Sequence, residues 1–196
     1  MIVSKMLLYL HGFNSSPASF KAKVLKDALT RMGRCDEFLC PALPDRPAAA
    51  MALLEAILPQ HALDTLTLVG SSLGGFYGTY LTQKYRVRSV LVNPAIYPHE
   101  GLRAYLGPQK NLYTGDEYVL TEQHLEQLSA LFVPELNHLD RYLLITATGD
   151  EVLDYRDGVA RYEGAEQIII QGSDHGLSDF ADYLVKILIF AGISPL

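Results

Sequence analysis

The sequence is poor in charged residues, and those it has are mostly acidic. Charged side chains make up 19% of the 196 residues and hydrophobic ones 49%, whereas an average soluble domain has roughly 25% charged residues. A disordered chain would be richer in charge and poorer in apolar residues, so this one is expected to fold. The 16 basic residues are outnumbered by 22 acidic ones, and this balance disfavours a nucleic-acid partner, which needs a basic face.

Long hydrophobic runs are missing too. No apolar stretch approaches the roughly 18 residues that a membrane-spanning helix needs, so no membrane span is expected. The first residues, Met1–Lys5, show neither the apolar segment nor the cleavage pattern of a signal peptide, and we therefore expect a cytoplasmic protein. The length of 196 residues suits a single domain and leaves no room for a second core.

Cysteine is scarce. The chain has two, Cys35 and Cys40, and their spacing, without a second Cys or His pair nearby, matches no common zinc site. We expect both to be buried free thiols, which agrees with a cytoplasmic protein.

Short apolar runs alternate with segments of helical periodicity. The runs lack polar alternation, which is typical of strands buried on both faces. The predicted strands are Lys5–Leu10, Glu37–Leu39, Leu66–Val69, Arg88–Val92, Tyr142–Thr146 and Gln167–Ile170. Alternation of strands and helices predicts an α/β fold, with a mostly parallel sheet covered by helices on both faces.

The segments between the runs have the hydrophobic spacing of amphipathic helices, and we expect four stripes to face the core. The stripes are Phe20, Val24, Ala28 and Met32; Met51, Leu54, Ile57 and Leu58; Leu73, Phe76, Tyr77, Tyr80 and Leu81; and Phe180, Tyr183, Leu184, Ile187 and Leu188.

One connection is much longer than the others. The 46 residues from Asn93 to His138 separate two predicted strands, whereas a crossover needs only about a dozen. We predict a helical insertion with two helices, of which 121–132 is the clearer. An insertion at the end of a strand is often a lid, and Leu125 and Leu128 could cover an acyl chain. An extra packing helix is the alternative.

The strongest local signal is the G-x-S-x-G pattern of Gly70–Gly74. It follows the predicted strand Leu66–Val69 and opens a predicted helix, which is the setting of a nucleophile elbow. In such an elbow Ser72 occupies a strained turn with its hydroxyl exposed, and the flanking glycines leave room because a Cβ would crowd the turn. The alternative is a Gly-Ser turn that merely starts a helix.

A serine hydroxyl is a weak nucleophile that needs a base. Among the six histidines, His175 lies in the loop before the last predicted helix, at the same carboxyl edge of the sheet as Ser72. Asp150 follows the strand Tyr142–Thr146 at that edge and is the candidate to orient His175; Asp154 is its competitor. The chain order Ser72, Asp150, His175 is that of the α/β-hydrolases.

Acyl transfer also needs two backbone N–H groups that stabilise a tetrahedral oxyanion. The N–H of Leu73, directly after Ser72, is one candidate. The N–H of Phe13 is the other, because Gly12 allows a sharp bend in the loop after the first strand. His11 in this loop is expected to be structural.

Four segments together resemble the YqiA-like esterases, which are small single-domain α/β-hydrolases of bacteria. The segments are Tyr9–Pro17, Gly70–Tyr77, Asn93–Ala95 and Asp174–His175. The resemblance extends over nearly the whole chain and implies Ser72 as nucleophile, His175 as base and Asp150 as acid. It also implies a minimal version of the fold that lacks the two leading strands of larger relatives and has six parallel strands in the order 2-1-3-4-5-6.

The resemblance implies hydrolysis of carboxylic esters and, in some members, of acyl-CoA thioesters. We therefore predict a serine hydrolase that forms an acyl-enzyme on Ser72 of a small-molecule ester or thioester, with no metal or other cofactor. The same constellation also cleaves peptide, lactone or carbon–carbon bonds, and that alternative stays open. A non-catalytic scaffold that binds a ligand or partner is a third reading, although a binding module has no need of the whole set Ser72, Asp150 and His175.

Overall fold

The computed structural model describes residues 5–194; residues 1–4, on which the expectation about a signal peptide rests, lie outside this part. A six-stranded parallel sheet forms the centre of the molecule, in the order β2-β1-β3-β4-β7-β8. Its strands are β1 (Met6–Leu10), β2 (Phe38–Leu39), β3 (Leu66–Ser71), β4 (Arg88–Val92), β7 (Tyr142–Ala147) and β8 (Glu166–Ile170). Numbered within the sheet alone, the order is 2-1-3-4-5-6, so both the α/β class and the predicted topology are confirmed.

Helices cover both faces of this sheet, and for this reason every residue of β3 and of β7 is buried. The helices on its two faces are α1 (Phe20–Arg31), α2 (Pro47–Ile57), α3 (Leu73–Tyr85), α6 (Tyr155–Arg161) and α7 (Leu184–Phe190). Side chains of α1 and α7 form one hydrophobic cluster with the sheet, and those of α2 and α3 form another. None of the helices within residues 5–194 is long and apolar enough to cross a membrane.

The predicted core stripe of α1 was right only in part, because Val24 and Met32 pack against the core but are only partly buried. The buried residues of this helix include Lys21, Leu25 and Leu29, whereas Phe20, the first residue of the predicted stripe, is 48% exposed. Both stripes have the i, i+4 spacing of one helical face. The prediction counted apolar residues only, and for this reason it did not consider the helix face that begins with Lys21.

The insertion between β4 and β7 is helical only in part. It contains a short helix α4 (Pro98–Gly101), an antiparallel hairpin of β5 (Gly107–Lys110) and β6 (Glu117–Leu120), and the helix α5 (Glu122–Ala130). The helix expected over 121–132 is confirmed as α5. The expectation of a purely helical insertion was wrong, because polar hydrogen bonds rather than an apolar stripe hold the hairpin together.

The two cysteines are free thiols, but they differ in exposure. Cys40 is partly buried, and burial raises the pKa of its thiol to about 12. Cys35 is exposed, so the expectation of two buried thiols was wrong for this residue. It lies in a short turn before β2 at the edge of the sheet, where it packs into neither of the large clusters.

Candidate active site

Ser72 lies in a strained turn between β3 and α3. Its backbone has φ 54° and ψ −119°, a conformation that costs free energy in a non-glycine residue and persists only where the surroundings enforce it. Two hydrogen bonds do so: the Ser72 N–H donates to the Val92 carbonyl oxygen at 3.1 Å, and its own carbonyl accepts the Ala95 N–H at 3.0 Å. Strand β4 and the residues after it therefore hold the turn in place.

The glycines on either side of Ser72 are required by space. A Cβ on Gly70 would lie 2.4 Å from the Gly74 carbonyl oxygen, and one on Gly74 would lie 2.0 Å from the Leu10 carbonyl oxygen. Backbone atoms cannot give way to such an approach. The crowding that the G-x-S-x-G pattern predicted is therefore present at both glycines.

Three predicted side chains come together at the carboxyl edge of the sheet. The Ser72 Oγ lies 3.2 Å from Nε2 of His175, and Nδ1 of the same ring lies 2.8 Å from Oδ2 of Asp150. The residues follow β3, β8 and β7, whose parallel course brings their ends to one edge. In this spatial order, the hydroxyl oxygen can pass its proton to a nitrogen of the imidazole, and the carboxylate stabilises the imidazolium that forms.

The Asp150 carboxylate is kept ionised by its surroundings. Its side chain is 2% exposed, and this burial works against ionisation. Hydrogen bonds from His175 and from the backbone N–H groups of Leu153 and Val152 outweigh burial and hold the pKa of Asp150 below its usual value. Asp154 has a different task, since its side chain caps the N-terminus of α6 by accepting the Arg156 N–H.

Asn93 is a supporting residue to which the sequence analysis gave no role. It is buried and directly follows β4. Its side-chain amide donates to the carbonyl oxygens of Asp174 and His175, both at 3.1 Å, and its side-chain oxygen accepts the Ala147 N–H at 2.9 Å. It thereby ties the histidine loop to the end of β7. The sequence signalled it only by its place between a strand and Pro94 and by its membership of the segment Asn93–Ala95.

The two predicted oxyanion donors belong to residues that border the same cavity. The N–H groups of Phe13 and Leu73 have no hydrogen-bond acceptor within residues 5–194, and both residues line one cavity. His11 fixes the bend beside Phe13: its Nδ1 lies 3.1 Å from the Gly12 carbonyl oxygen, and its Nε2 accepts the Leu43 N–H. Burial lowers the pKa of His11, which suits a neutral, structural ring.

Two cavities border the loop 12–15, and Ser72 lines the second of them. The hairpin cavity, of about 330 Å³, lies between Phe13, Leu73 and the residues around the β5–β6 hairpin, including Tyr118. The histidine cavity, of about 310 Å³, lies between Ser72, His175 and the start of α1. Both volumes fall at the lower end of the range of small-molecule sites, about 300–1,000 Å³.

The hairpin is fastened to the loop that carries Phe13, and Asn14 makes most of the connections. The Asn14 side chain accepts the Tyr118 hydroxyl at 2.8 Å and donates to Gln109 at 3.1 Å, and its carbonyl accepts the Leu112 N–H at 3.0 Å. Its φ of 50° is left-handed, a region that asparagine tolerates better than most residues.

The expected role of α5 as a cover for an acyl chain was wrong. Leu125 and Leu128 are buried, and Leu128 belongs to the cluster of α2 and α3. Neither residue lines the hairpin cavity or the histidine cavity. This helix is part of the core, and the hairpin, not α5, reaches the site.

Solved structures share this architecture at low sequence identity. An Agrobacterium vitis S4 protein provisionally described as a hydrolase has a TM-score of 0.76 and 16% identity, over 96% of this chain and 88% of its own. Mouse alpha/beta hydrolase domain-containing protein 10 has a TM-score of 0.72 and 14% identity, over 93% of this chain and 87% of its own. Est1E from Butyrivibrio proteoclasticus has a TM-score of 0.69 and 13% identity, over 96% of this chain and 88% of its own. The fold is therefore that of the α/β-hydrolases.

A family model gives the more specific relationship. It is described as Uncharacterised protein family UPF0227 and matches residues 6–192, nearly the whole chain. The match agrees with the resemblance carried by the segments around Gly12, Ser72 and His175. The chain belongs to UPF0227, the YqiA family.

Proposed function

We propose that the chain is a serine hydrolase that cleaves carboxylic esters or acyl-CoA thioesters through an acyl-enzyme on Ser72. The observation that carries the proposal is the continuous hydrogen-bonded path from Ser72 through His175 to Asp150. Two N–H groups that have no acceptor in the described part of the chain, those of Phe13 and Leu73, support it. Esterases of the same fold, Est1E among them, support the hydrolase class.

In the proposed reaction, the Ser72 oxygen attacks the acyl carbonyl while Nε2 of His175 takes the hydroxyl proton. The carbonyl oxygen becomes an oxyanion and accepts hydrogen bonds from the N–H groups of Phe13 and Leu73. His175 then gives the proton to the leaving oxygen or sulfur, the C–O or C–S bond breaks, and the acyl group remains on Ser72.

Water completes the proposed cycle. His175 removes a proton from a water molecule that attacks the acyl-enzyme, a second oxyanion forms at the same N–H groups, and its collapse releases the carboxylic acid. The proton on His175 returns to the Ser72 oxygen. Throughout, Asp150 stays ionised and stabilises the imidazolium, in keeping with its lowered pKa.

A hydrolysis screen tests the proposal and separates esters from thioesters. Wild type and Ser72→Ala are assayed against p-nitrophenyl esters and acyl-CoAs with acetyl, butyryl and octanoyl chains. We expect turnover by the wild type and none above about a thousandth of it by the variant, which keeps only binding and the oxyanion hole. A variant with more than about a tenth of the wild-type kcat would remove Ser72 from the proposed role.

We also propose a single catalytic domain that acts in the cytoplasm. The free thiols of Cys35 and Cys40 support this location, because thiols persist in a reducing compartment.

A further inference from the structure

Lys21 begins the buried face of α1 and lies at the candidate active site. The residue is 9% exposed, and it lines the histidine cavity together with Ser72 and His175. Its ammonium donates a hydrogen bond to the Gly176 carbonyl oxygen at 2.5 Å. Because a lysine ammonium has three donors, two remain without an acceptor in the described part of the chain.

This buried cation has no direct counter-charge within residues 5–194. Asp174 and Asp150 favour its charged form from beyond ion-pair distance, but burial has the larger effect and lowers the pKa of Lys21 to about 8. Both carboxylates have other partners: Asp150 is bonded to His175, and Asp174 accepts the Ser178 N–H. Burying a charge is costly unless it is paired. The Lys21 ammonium therefore has room to pair with a negatively charged group that enters the histidine cavity.

A second polar group in the same cavity also lacks a partner. The Ser19 hydroxyl is buried and has no partner in hydrogen-bonding geometry among the described residues, although the Tyr9 phenol lies near it. Ser19 directly precedes α1, so its hydroxyl and the Lys21 ammonium belong to one turn of chain. Together they offer several donors and one positive charge.

The proposed reaction determines which half of a substrate meets these donors. His175 must pass its proton to the leaving oxygen or sulfur, so the leaving group lies against His175. His175 lines the histidine cavity and does not line the hairpin cavity. On the proposed function, this assigns the alcohol or thiol half to the histidine cavity and leaves the hairpin cavity, which Leu73 lines, for the acyl half.

We infer that Lys21 and Ser19 form a recognition site for an anionic group, a carboxylate or a phosphate, on the leaving alcohol or thiol. The inference rests on the proposed function and specifies its substrate class. The exposed side chains at the edge of the cavity, Phe20, Leu112 and Tyr113, are apolar or aromatic. They suit a compact apolar body that carries the anion close to the scissile bond.

Three acetyl esters with a common phenol frame test the inference. They are 4-acetoxybenzoate, its neutral methyl ester, and 4-acetoxyphenyl phosphate. The variant is Lys21→Met, which keeps the length of the side chain and removes its charge, and the matched control is Lys23→Met, an exposed lysine on the same helix. The ratio of variant to wild-type kcat/KM on each ester cancels the differences in intrinsic reactivity between the esters.

We expect Lys21→Met to lower kcat/KM on at least one anionic ester by about tenfold or more, as for the loss of a charge-assisted hydrogen bond. The loss on the neutral ester is expected to be at least about fivefold smaller than the loss on that anionic ester, and Lys23→Met changes neither activity. The ester on which kcat/KM falls more, the carboxylate or the phosphate, identifies the preferred anion. Ser19→Ala, which leaves the lysine in place, is expected to reduce the same preference by a few-fold.

Two results would overturn the inference. An equal loss on all three esters would mean that Lys21 only positions the histidine loop through Gly176. Unchanged activity of Lys21→Met and Ser19→Ala on both anionic esters would mean that the leaving group carries no anion to this site. Turnover of the neutral ester by the wild type keeps the proposed function intact in either case, so the two failures are distinguishable.

Discussion

The sheet edge and the hairpin face each other across the site, but they are held in place by different forces. Ser72 directly follows β3, and Asp150 comes shortly after β7. Hydrogen bonds from neighbouring segments fix the backbone around both residues. The hairpin is fastened mainly by polar side chains around Asn14, and it exposes Leu112 at its tip to 82%. The sheet therefore fixes the positions of Ser72 and Asp150, whereas the hairpin can change without disturbing the sheet.

The sheet side of this comparison is tested most strongly at Asp150. Asp150→Asn removes the carboxylate that bonds His175, and we expect kcat to fall by about 10³–10⁴, by analogy with tautomer loss in other triads. Asp154→Asn is the matched control and should cost less than about tenfold, because this side chain only caps α6. Steady-state kinetics with one activated ester measures both. The reverse ranking would show that Asp150 is not the orienting acid.

The insertion is itself divided, since α5 belongs to the core and the hairpin does not. Leu128→Ala should lower the free energy of unfolding by about 2–5 kcal/mol, as for other buried leucines. Leu112→Ala, at the exposed tip of the hairpin, should change it by less than about 0.5 kcal/mol. Chemical denaturation measures both. A changed preference between octanoyl and acetyl esters in Leu128→Ala, with stability intact, would restore α5 as a cover for the acyl chain.

Lys21 lines the histidine cavity, and its burial makes the stability of the protein depend on pH. Its pKa is lowered from 10.5 to about 8, so the folded protein loses this proton at lower pH than the unfolded chain. The buried charge therefore lowers the free energy of unfolding by its full amount below about pH 8, and this cost disappears as the pH rises towards about 10.5. The shift corresponds to about 3 kcal/mol, and the lost Gly176 hydrogen bond offsets about 1 kcal/mol.

Lys21→Met should therefore stabilise the protein by about 2 kcal/mol at pH 7 and by clearly less at pH 10. Denaturant midpoints at the two pH values, with Lys23→Met as the control, provide the measurement. A gain of the same size at both pH values would exclude the ammonium charge as its cause.

The smallest expected effect concerns the contact between the hairpin and the loop that carries Phe13. Tyr118→Phe removes the hydroxyl that bonds Asn14, and a net loss of about 0.5–1.5 kcal/mol corresponds to about a two- to tenfold drop in kcat/KM. Tyr105→Phe is the matched control, because the Tyr105 hydroxyl has no partner within the described residues while its ring contacts Phe13. Equal effects of the two substitutions would mean that the Asn14 contact does not position the loop.

The sheet and the juxtaposition of Ser72, Asp150 and His175 could be predicted from the sequence. Buried parallel strands leave long apolar runs, and the ends of those runs must meet at one edge of the sheet. Residues that follow such runs are therefore brought together without any knowledge of side-chain packing. The glycines around Ser72 strengthened the prediction, because only an uncommon backbone requires them.

The hairpin and the buried face of α1 could not be predicted in the same way. Strands of four residues, with a six-residue loop held by the Asn111 side chain, carry neither an apolar run nor a two-residue turn signal. Lys21 was missed because hydrophobic periodicity treats every lysine as exposed. The roles of Asn14 and Asn93 depend on hydrogen bonds between segments that are distant in the chain, and no local pattern encodes these.

The most direct test of the central claim is covalent labelling of Ser72. Intact protein is treated with a fluorophosphonate, which reacts with an activated serine hydroxyl, and the adduct is located by peptide mass spectrometry. The account predicts one adduct per chain, on the peptide that contains Ser72, and none in Ser72→Ala. An unlabelled wild type, or an adduct that persists in Ser72→Ala, would contradict it.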